Sequence, residues 1–230
     1  MAEYGPDVCA ITSLIGEPVR ARILFALLDG REISASELAS RAGASAQSAS
    51  GHLAKLVAGG LLDARAAGRQ RLFRLASPRI ANAIETLASI APQTPIVSLG
   101  QHSAMQRLRE ARSCYDHLAG RLGVGITDAL KRSGAIAPNG EEFRLSKRGR
   151  QTFTRIGIDV DEAQAERRSF ARACIDWTER RPHLAGSLGA ALLRRILAQQ
   201  WLRRHTADRS LRVTDEGKRA LQALFDLRLD

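Results

Sequence analysis

The strongest constraint on the fold is a helical hydrophobic pattern that stops at a glycine pair and leads straight into an arginine-rich strand pair, all within residues 45–74. Apolar residues between Ala49 and Val57 recur at the spacing of one helix face. Gly59-Gly60 ends that helix, and the residues after it predict strands over 61–65 and 71–75. The stretch therefore predicts a helix followed by a basic β-hairpin.

The outer face of this helix is small and polar, and it includes a glycine in mid-helix. Gly51 costs about 1 kcal/mol relative to alanine, a cost that is explained if DNA approaches the backbone there. The guanidinium forks of the hairpin suit phosphate oxygens or a narrow minor groove. The alternative for the hairpin alone is a solvated hairpin in an arginine-rich protein without DNA contact. The candidate DNA-binding residues are Ser45, Gln47, Ser48, Gly51, His52, Lys55, Arg65, Arg69, Gln70 and Arg71.

The charge distribution supports this location for the DNA-binding surface. The 230 residues carry a net charge of +11, and arginine (31 residues) far outnumbers lysine (4 residues). A high arginine content by itself is weak evidence for a nucleic-acid partner. Residues 41–80, however, carry seven basic side chains and one acidic side chain. The positive charge is therefore concentrated on the predicted helix and hairpin.

Upstream, the sequence predicts three shorter helices. One runs over 8–15, and the next begins near Pro18 and ends at Asp29-Gly30. The third has Ser34 as its N-cap and Glu37 three residues later, which is the pattern of a capping box. A short helix, a glycine-containing turn and a second helix with a polar outer face form a helix-turn-helix, and the basic hairpin is its wing.

These residues resemble the winged helix-turn-helix of the ArsR/SmtB family of bacterial repressors. The matching pieces are P-x-R-x-x-I-L from Pro18, S-x-x-x-H-L-x-x-L-x-x-x-G-L from Ser48 and G-R-x-x-x-x-x-L from Gly68. The resemblance covers residues 8–90. It implies a homodimer that reads an inverted repeat in double-stranded DNA and leaves it when an effector binds. It also implies that His52 lies near the DNA backbone. The alternative is that His52 packs partly against the protein at the edge of the helix.

Two departures from the family concern metal binding. Where the family has a Cys-rich motif on the first helix of the helix-turn-helix, this chain has Glu37 to Ser40. The predicted dimerising helix after the wing, over residues 77–90, contains neither histidine nor cysteine. The family's usual metal sites are therefore not expected here, whereas DNA binding is unaffected.

The segment after the wing predicts a dimer helix and then a domain boundary. Ile80, Ile84, Leu87 and Ile90 form a helical stripe that we expect to pair with a second copy. Prolines at 92 and 95 then break the chain. The predicted organisation is a winged helix-turn-helix DNA-binding and dimerisation domain over 1–90, a linker over 91–103 and a C-terminal regulatory domain over 104–230.

The C-terminal domain contains an internal repeat. His117-Leu-Ala-Gly-Arg-Leu-Gly123 recurs as His183-Leu-Ala-Gly-Ser-Leu-Gly189, with six identities in seven. Each repeat, over about 104–157 and 162–230, predicts two helices, a short strand pair and a final helix, capped by Ser146 or Thr214. The fold class is therefore mainly α with small β wings: an N-terminal winged helix-turn-helix and two tandem winged-helix-like repeats.

The repeats also suggest a metal site and an effector pocket. We expect Cys114 and His117 to lie on one helix face, and Cys174 and His183 to occupy the equivalent places in the second repeat. Together they are a set that suits zinc or a softer metal. Against this, a buried cysteine is usually inert, a histidine can cap a helix, and the two Cys-to-His spacings differ. The candidate ligands are Cys114, His117, Cys174 and His183. The candidate effector pocket contains Tyr115 and Trp177, with core packing as the alternative.

Other function classes have less support. No nucleophile elbow, phosphate-binding loop, zinc-protease motif or CxxC pair occurs, so we expect no enzyme. Three scattered cysteines and the lack of an export signal or a long apolar run predict a cytoplasmic protein with no membrane contact. The sequence thus predicts a dimeric repressor that a small-molecule or metal effector releases from its operator. The alternatives are a metal-responsive repressor that uses the C-terminal Cys and His residues, and an architectural DNA-binding protein without an effector.

Overall fold

The computed structural model describes residues 5–92 and 95–228 and divides the chain into two compact units, residues 1–85 and 86–230. The first unit contains α1 (Val8–Ile15), α2 (Pro18–Ala26), β1 (Ile33–Ser34), α3 (Ala35–Ala42), α4 (Ala46–Ala58), β2 (Leu62–Ala67) and β3 (Gln70–Leu75). Helix α5 (Pro78–Ile90) crosses the division.

Local capping signals determine where the helices of the first unit begin and end. The Ser34 hydroxyl accepts a hydrogen bond from the backbone N–H of Glu37 at the start of α3, as predicted, and Gly43 ends that helix with φ 62°. The Ser45 hydroxyl caps α4 in the same way, accepting from the N–H of Ser48. The helix-turn-helix predicted from these residues is therefore present.

The wing is an antiparallel sheet with strand order β1-β3-β2. Strands β2 and β3 pair from Leu62 with Leu75 to Ala67 with Gln70. The strands predicted over 61–65 and 71–75, with 66–70 as the tip between them, reach Ala67 and Gln70 instead, because Gly68 adopts φ 59° and allows a two-residue turn. The short strand β1 was not predicted as a strand.

The second unit contains α6 (Leu99–Glu110), β4 (Arg112–Cys114), β5 (His117–Ala119), α7 (Gly120–Arg132), β6 (Ile136–Asn139), β7 (Glu142–Leu145), α8 (Lys147–Ile156), α9 (Val160–Ala165), β8 (Ala173–Ile175), β9 (Pro182–Leu184), α10 (Gly186–Ala198), β10 (Leu202–Arg204), β11 (Leu211–Val213) and α11 (Asp215–Phe225). Each repeat therefore runs helix, hairpin, helix, hairpin, helix. The first hairpin of each repeat was not predicted and separates the two helices that were expected to follow each other. Helix α6 begins inside the predicted linker.

The two repeats of this unit are interlocked. Arg112 in the first hairpin of repeat one forms an antiparallel β-bridge with Ser210 beside the second hairpin of repeat two. Glu142 in the second hairpin of repeat one forms a similar bridge with Arg172 beside the first hairpin of repeat two. One hydrophobic core contains residues from both repeats, among them Phe153 and Leu193. The shared core makes each repeat dependent on the other for burial of its apolar surface.

Candidate functional site

The recognition helix α4 presents one polar face to solvent. Ala49, Leu53 and Leu56 are buried against the rest of the first unit. The opposite side exposes Gln47, Ser48, Gly51 and Lys55. Among the described residues, and apart from its chain neighbours and the backbone of α4 itself, nothing lies within 4 Å of the position that a Cβ on Gly51 would occupy. The backbone at Gly51 is therefore open to close approach by a partner.

Of the candidate DNA-binding residues at the start and on the side of α4, Ser45 and His52 make contacts inside the unit. Ser45 caps α4 with its hydroxyl. His52 is half-buried, and its Nδ1 lies 3.2 Å from Oε2 of Glu17, the residue that caps α2. Ser45 therefore stabilises the start of α4, and His52 connects α4 with the start of α2.

The arginines of the wing differ in their partners. Arg65 makes a forked ion pair with Glu32, and this hydrogen bonding lowers the pKa of the Glu32 carboxyl. The guanidinium carbon of Arg71 lies 5.5 Å from the centre of the Phe73 ring. Arg69 and Gln70 are exposed at the turn. For Arg69, no hydrogen bond or ion pair is found among residues 5–92 and 95–228. Its guanidinium is therefore the wing group most available to a phosphate.

In the second unit, two equivalent hairpins bring the four Cys and His residues together. Cys114 faces His117 across β4 and β5, and Cys174 faces His183 across β8 and β9. The prediction that Cys114 and His117 share a helix face is wrong, because both lie on strands. The different Cys-to-His spacings reflect only the longer tip of the second hairpin, so the pairing is the same in both repeats.

The four side chains form a buried cluster. One potential ligand atom from each lies within 4.8 Å of all the others, and every residue of the set is buried. The two Sγ atoms are 3.9 Å apart, and the two imidazole rings are stacked with centroids 5.1 Å apart. Thiols and imidazoles are the ligand types that zinc prefers in tetrahedral protein sites. The arrangement therefore has the composition of a zinc site.

A carboxylate stands behind each histidine. Oδ1 of Asp116 lies 3.2 Å from Nδ1 of His117 and makes a hydrogen bond with it. Oδ2 of Asp176 lies 3.6 Å from Nδ1 of His183, beyond hydrogen-bonding distance. The sequence analysis did not include these aspartates, although a signal was present: each follows its cysteine at the same spacing, in Cys114-Tyr-Asp116 and Cys174-Ile-Asp176.

The side chains in and around the cluster shift one another's pKa values. Burial opposes a charged imidazole, but Asp116 and the Cys174 sulfur raise the pKa of His117 to about 9. A hydrogen bond with Cys114 lowers the pKa of Cys174 far below its usual value; burial opposes this change, and the two imidazoles reinforce it. Burial also opposes ionisation of Asp176, but Arg112 holds the pKa of that carboxyl low. The cluster thus favours a thiolate at Cys174 and a carboxylate at Asp176.

Comparison with known proteins identifies the family. A family model described as a helix-turn-helix domain matches residues 15–65, which run from the end of α1 into β2. The uncharacterized HTH-type transcriptional regulator YdfF of Bacillus subtilis (strain 168) is 39% identical over 224 residues, which cover 97% of this chain and 99% of YdfF. The chain belongs to the family of HTH-type transcriptional regulators. The predicted DNA-binding regulator class is therefore confirmed.

Solved structures similar to this regulator correspond to part of the chain. HlyU from Vibrio cholerae N16961 is 32% identical, with 37% of this chain and 88% of HlyU covered and a TM-score of 0.34. The homodimeric winged helix-turn-helix domain Mb0332 from Mycobacterium bovis, described as a possible ArsR-family regulator, is 23% identical. The match covers 48% of this chain and 95% of the Mb0332 chain, with a TM-score of 0.33.

The two residues predicted to line an effector pocket lie in the turns of the first hairpins, Tyr115 between β4 and β5 and Trp177 between β8 and β9. Trp177 is buried, and the guanidinium carbon of Arg112 lies 4.5 Å from the centre of its ring. Tyr115 occupies the two-residue turn between β4 and β5, with φ 61°. A cavity of about 480 Å³ lies elsewhere in the second unit, and Arg132, Arg148 and Arg155 contribute to its lining.

No helix in the described ranges is long and apolar enough to cross a membrane.

Proposed function

We propose that this regulator is a dimeric repressor that binds an inverted-repeat operator through α4 and the wing. The observation that carries the proposal is the outward face of α4, where Gln47 and Ser48 are exposed beside the open backbone of Gly51. A helix with short polar side chains fits the major groove, and an amide such as that of Gln47 can read an adenine edge with two hydrogen bonds.

The wing supplies contacts that do not depend on base sequence. Arg69, Gln70 and Arg71 are exposed at and beside its turn, and Lys55 adds a charge on α4. Arginine forks and lysine ammonium groups bind phosphate oxygens and position the protein on the duplex. Arg65 reaches DNA only by leaving Glu32, so we assign it to the support of the wing.

Dimerisation is supported by apolar side chains that α5 leaves exposed. Leu87 and Ile90 are 45% and 75% exposed, whereas Ile84 is only 6% exposed. We therefore narrow the interface predicted over Ile80, Ile84, Leu87 and Ile90 to Leu87 and Ile90. Two copies joined in this way read two half-sites, and a compact dimer over a promoter blocks polymerase, which favours repression. An effector acting through the second unit releases the DNA.

Selection of bound sequences from a random DNA pool tests the proposal. The full chain should select an inverted repeat, and its addition should reduce transcription from a promoter that contains that site. Gln47→Ala should relax the base preference in each half-site, since the amide that reads the base is lost. Gln222→Ala, an equivalent change on α11, is the matched control and should keep the wild-type preference. Selection of a single unrepeated site, or unchanged preference in Gln47→Ala, would contradict the proposed mode of reading.

A further inference from the structure

We propose that Cys114, His117, Cys174 and His183 bind one zinc ion inside the second unit, with two ligands from each repeat. The inference concerns a site that DNA recognition does not use, and it stands independently of the proposed repressor function.

The first argument is the geometry of the two sulfur atoms. Zinc–sulfur bonds of about 2.3 Å in a tetrahedron place the two sulfurs about 3.8 Å apart. The Sγ atoms of Cys114 and Cys174 are 3.9 Å apart. A disulfide would require them to approach to about 2.05 Å and would leave both imidazoles without a role. The observed separation therefore suits a shared metal ion better than a covalent bond.

The second argument is the state of the histidine nitrogens. Nε2 of His117 and Nε2 of His183 are buried and make no hydrogen bond of normal geometry within the described residues. An unpaired buried polar atom costs about 1–3 kcal/mol, so two in one core are expensive unless a ligand satisfies them. Asp116 faces Nδ1 of His117, and Asp176 lies near Nδ1 of His183. A carboxylate behind the ring nitrogen that does not bind metal is the usual arrangement around metal-bound histidine.

The third argument is that the backbone allows the two histidines to approach from opposite repeats. A Cβ on Gly123 of α7 would lie 3.7 Å from Cβ of His183, and a Cβ on Gly189 of α10 would lie 3.3 Å from Cβ of His117. Each would also lie 2.4 Å from a carbonyl oxygen of the preceding strand, too close for any residue larger than glycine. The two glycines therefore admit reciprocal packing, which brings the ligands of both repeats to one point.

The choice of zinc follows from the ligand set and its burial. Two thiolates and two imidazoles form a set that matches tetrahedral zinc. All four residues are buried, so the site is closed and has no position for a substrate. A closed four-ligand site is typical of structural zinc rather than catalytic zinc. The ion would join the two repeats, because each repeat supplies one sulfur and one nitrogen.

Metal titration of the full chain, purified without a histidine tag, reduced and stripped by a chelator, tests the proposal. Cobalt(II) should bind at one ion per chain with thiolate-to-cobalt charge-transfer absorption and the strong visible bands of a tetrahedral site. Zinc should then displace it. These measurements use the wild-type chain, so they do not depend on whether a variant folds. A reduced wild-type chain that takes up no cobalt, or whose two buried cysteines are isolated as a disulfide that re-forms in the presence of zinc, would overturn the proposal.

Variants then identify the ligands. Cys114→Ser and Cys174→Ser should each weaken the charge-transfer band and lower the affinity for zinc, with folding checked by circular dichroism. The matched control is Cys9→Ser, because Cys9 is the exposed third cysteine, on α1, and its loss should leave the stoichiometry and the spectrum unchanged. Loss of the cobalt spectrum in Cys9→Ser, or its full retention in both other variants, would refute the assigned ligand set.

Discussion

Replacement of Arg69 by alanine is the most direct test of how the wing contacts DNA. Arg69 is exposed at the two-residue turn, while Arg65 and Arg74 of the same hairpin are already paired with Glu32 and Asp63. An arginine without an internal partner can neutralise a phosphate at little cost inside the protein. Arg69→Ala should therefore weaken operator binding more than the loss of a paired arginine does.

The expected size follows from counterion release. Each phosphate contact contributes about 0.9 to the slope of log affinity against log salt concentration. A dimer has two wings, so the slope should fall by about 1.8 in the variant. If the wild type and the variant bind equally at 1 M salt, this difference in slope makes the variant bind about 60-fold more weakly than the wild type at 0.1 M and about 20-fold more weakly at 0.2 M. The deficit should thus shrink about 3.5-fold when the salt concentration is doubled.

Fluorescence anisotropy with a labelled operator, repeated over a range of salt concentrations, measures both quantities. Arg74→Ala is the matched control, because its guanidinium lies 3.0 Å from Asp63 and the variant removes an already neutralised charge. Its salt slope should stay close to that of the wild type. Equal slopes for wild type and Arg69→Ala would refute the assignment of the wing tip to phosphate binding, even if the affinity itself changed.

The remaining predictions concern assembly, stability and the metal site. Leu87→Glu should give a monomer by sedimentation, whereas Ile175→Glu, which charges another exposed apolar residue, should stay dimeric; a dimeric Leu87→Glu protein would place the interface elsewhere. Asp176→Ala leaves the buried guanidinium of Arg112 without its carboxylate 2.9 Å away, so urea denaturation should reveal a loss of about 3–5 kcal/mol, and a loss below about 1 kcal/mol would contradict this account. Asp116→Asn should lower zinc affinity by about 10–100-fold while the cobalt spectrum stays tetrahedral, and unchanged affinity would remove Asp116 from the site.

The first unit follows closely from its sequence because its signals are local. Ser34 caps the helix that it was expected to cap, and Gly43 and Gly59 end α3 and α4. A cap or a glycine acts within one helical turn, so it can be recognised without knowledge of distant residues. The wing was also expected, although the turn at Gly68 is tighter than the strand pattern suggested.

The first hairpin of each C-terminal repeat was not predicted, since its strands are only three residues long. Three residues are too few to display alternating hydrophobicity, and all three residues of β4 are buried. What holds β4 extended is a distant partner: the backbone N–H of Ser113 donates to the carbonyl of Arg209. Similarly, the burial of Ile84 on α5 results from tertiary packing that a helical stripe cannot report.

The sequence by itself determined the helix-turn-helix, the charged wing and the presence of a duplication, because each depends on short-range spacing or on direct self-similarity. Only the tertiary structure decided where the duplicated Cys and His residues meet. Spacings of three and nine residues look unlike along the chain, yet both are hairpins that pair a cysteine with a histidine. Pairing across strands depends on register and not on loop length, so equivalent residues converge although their sequence separations differ.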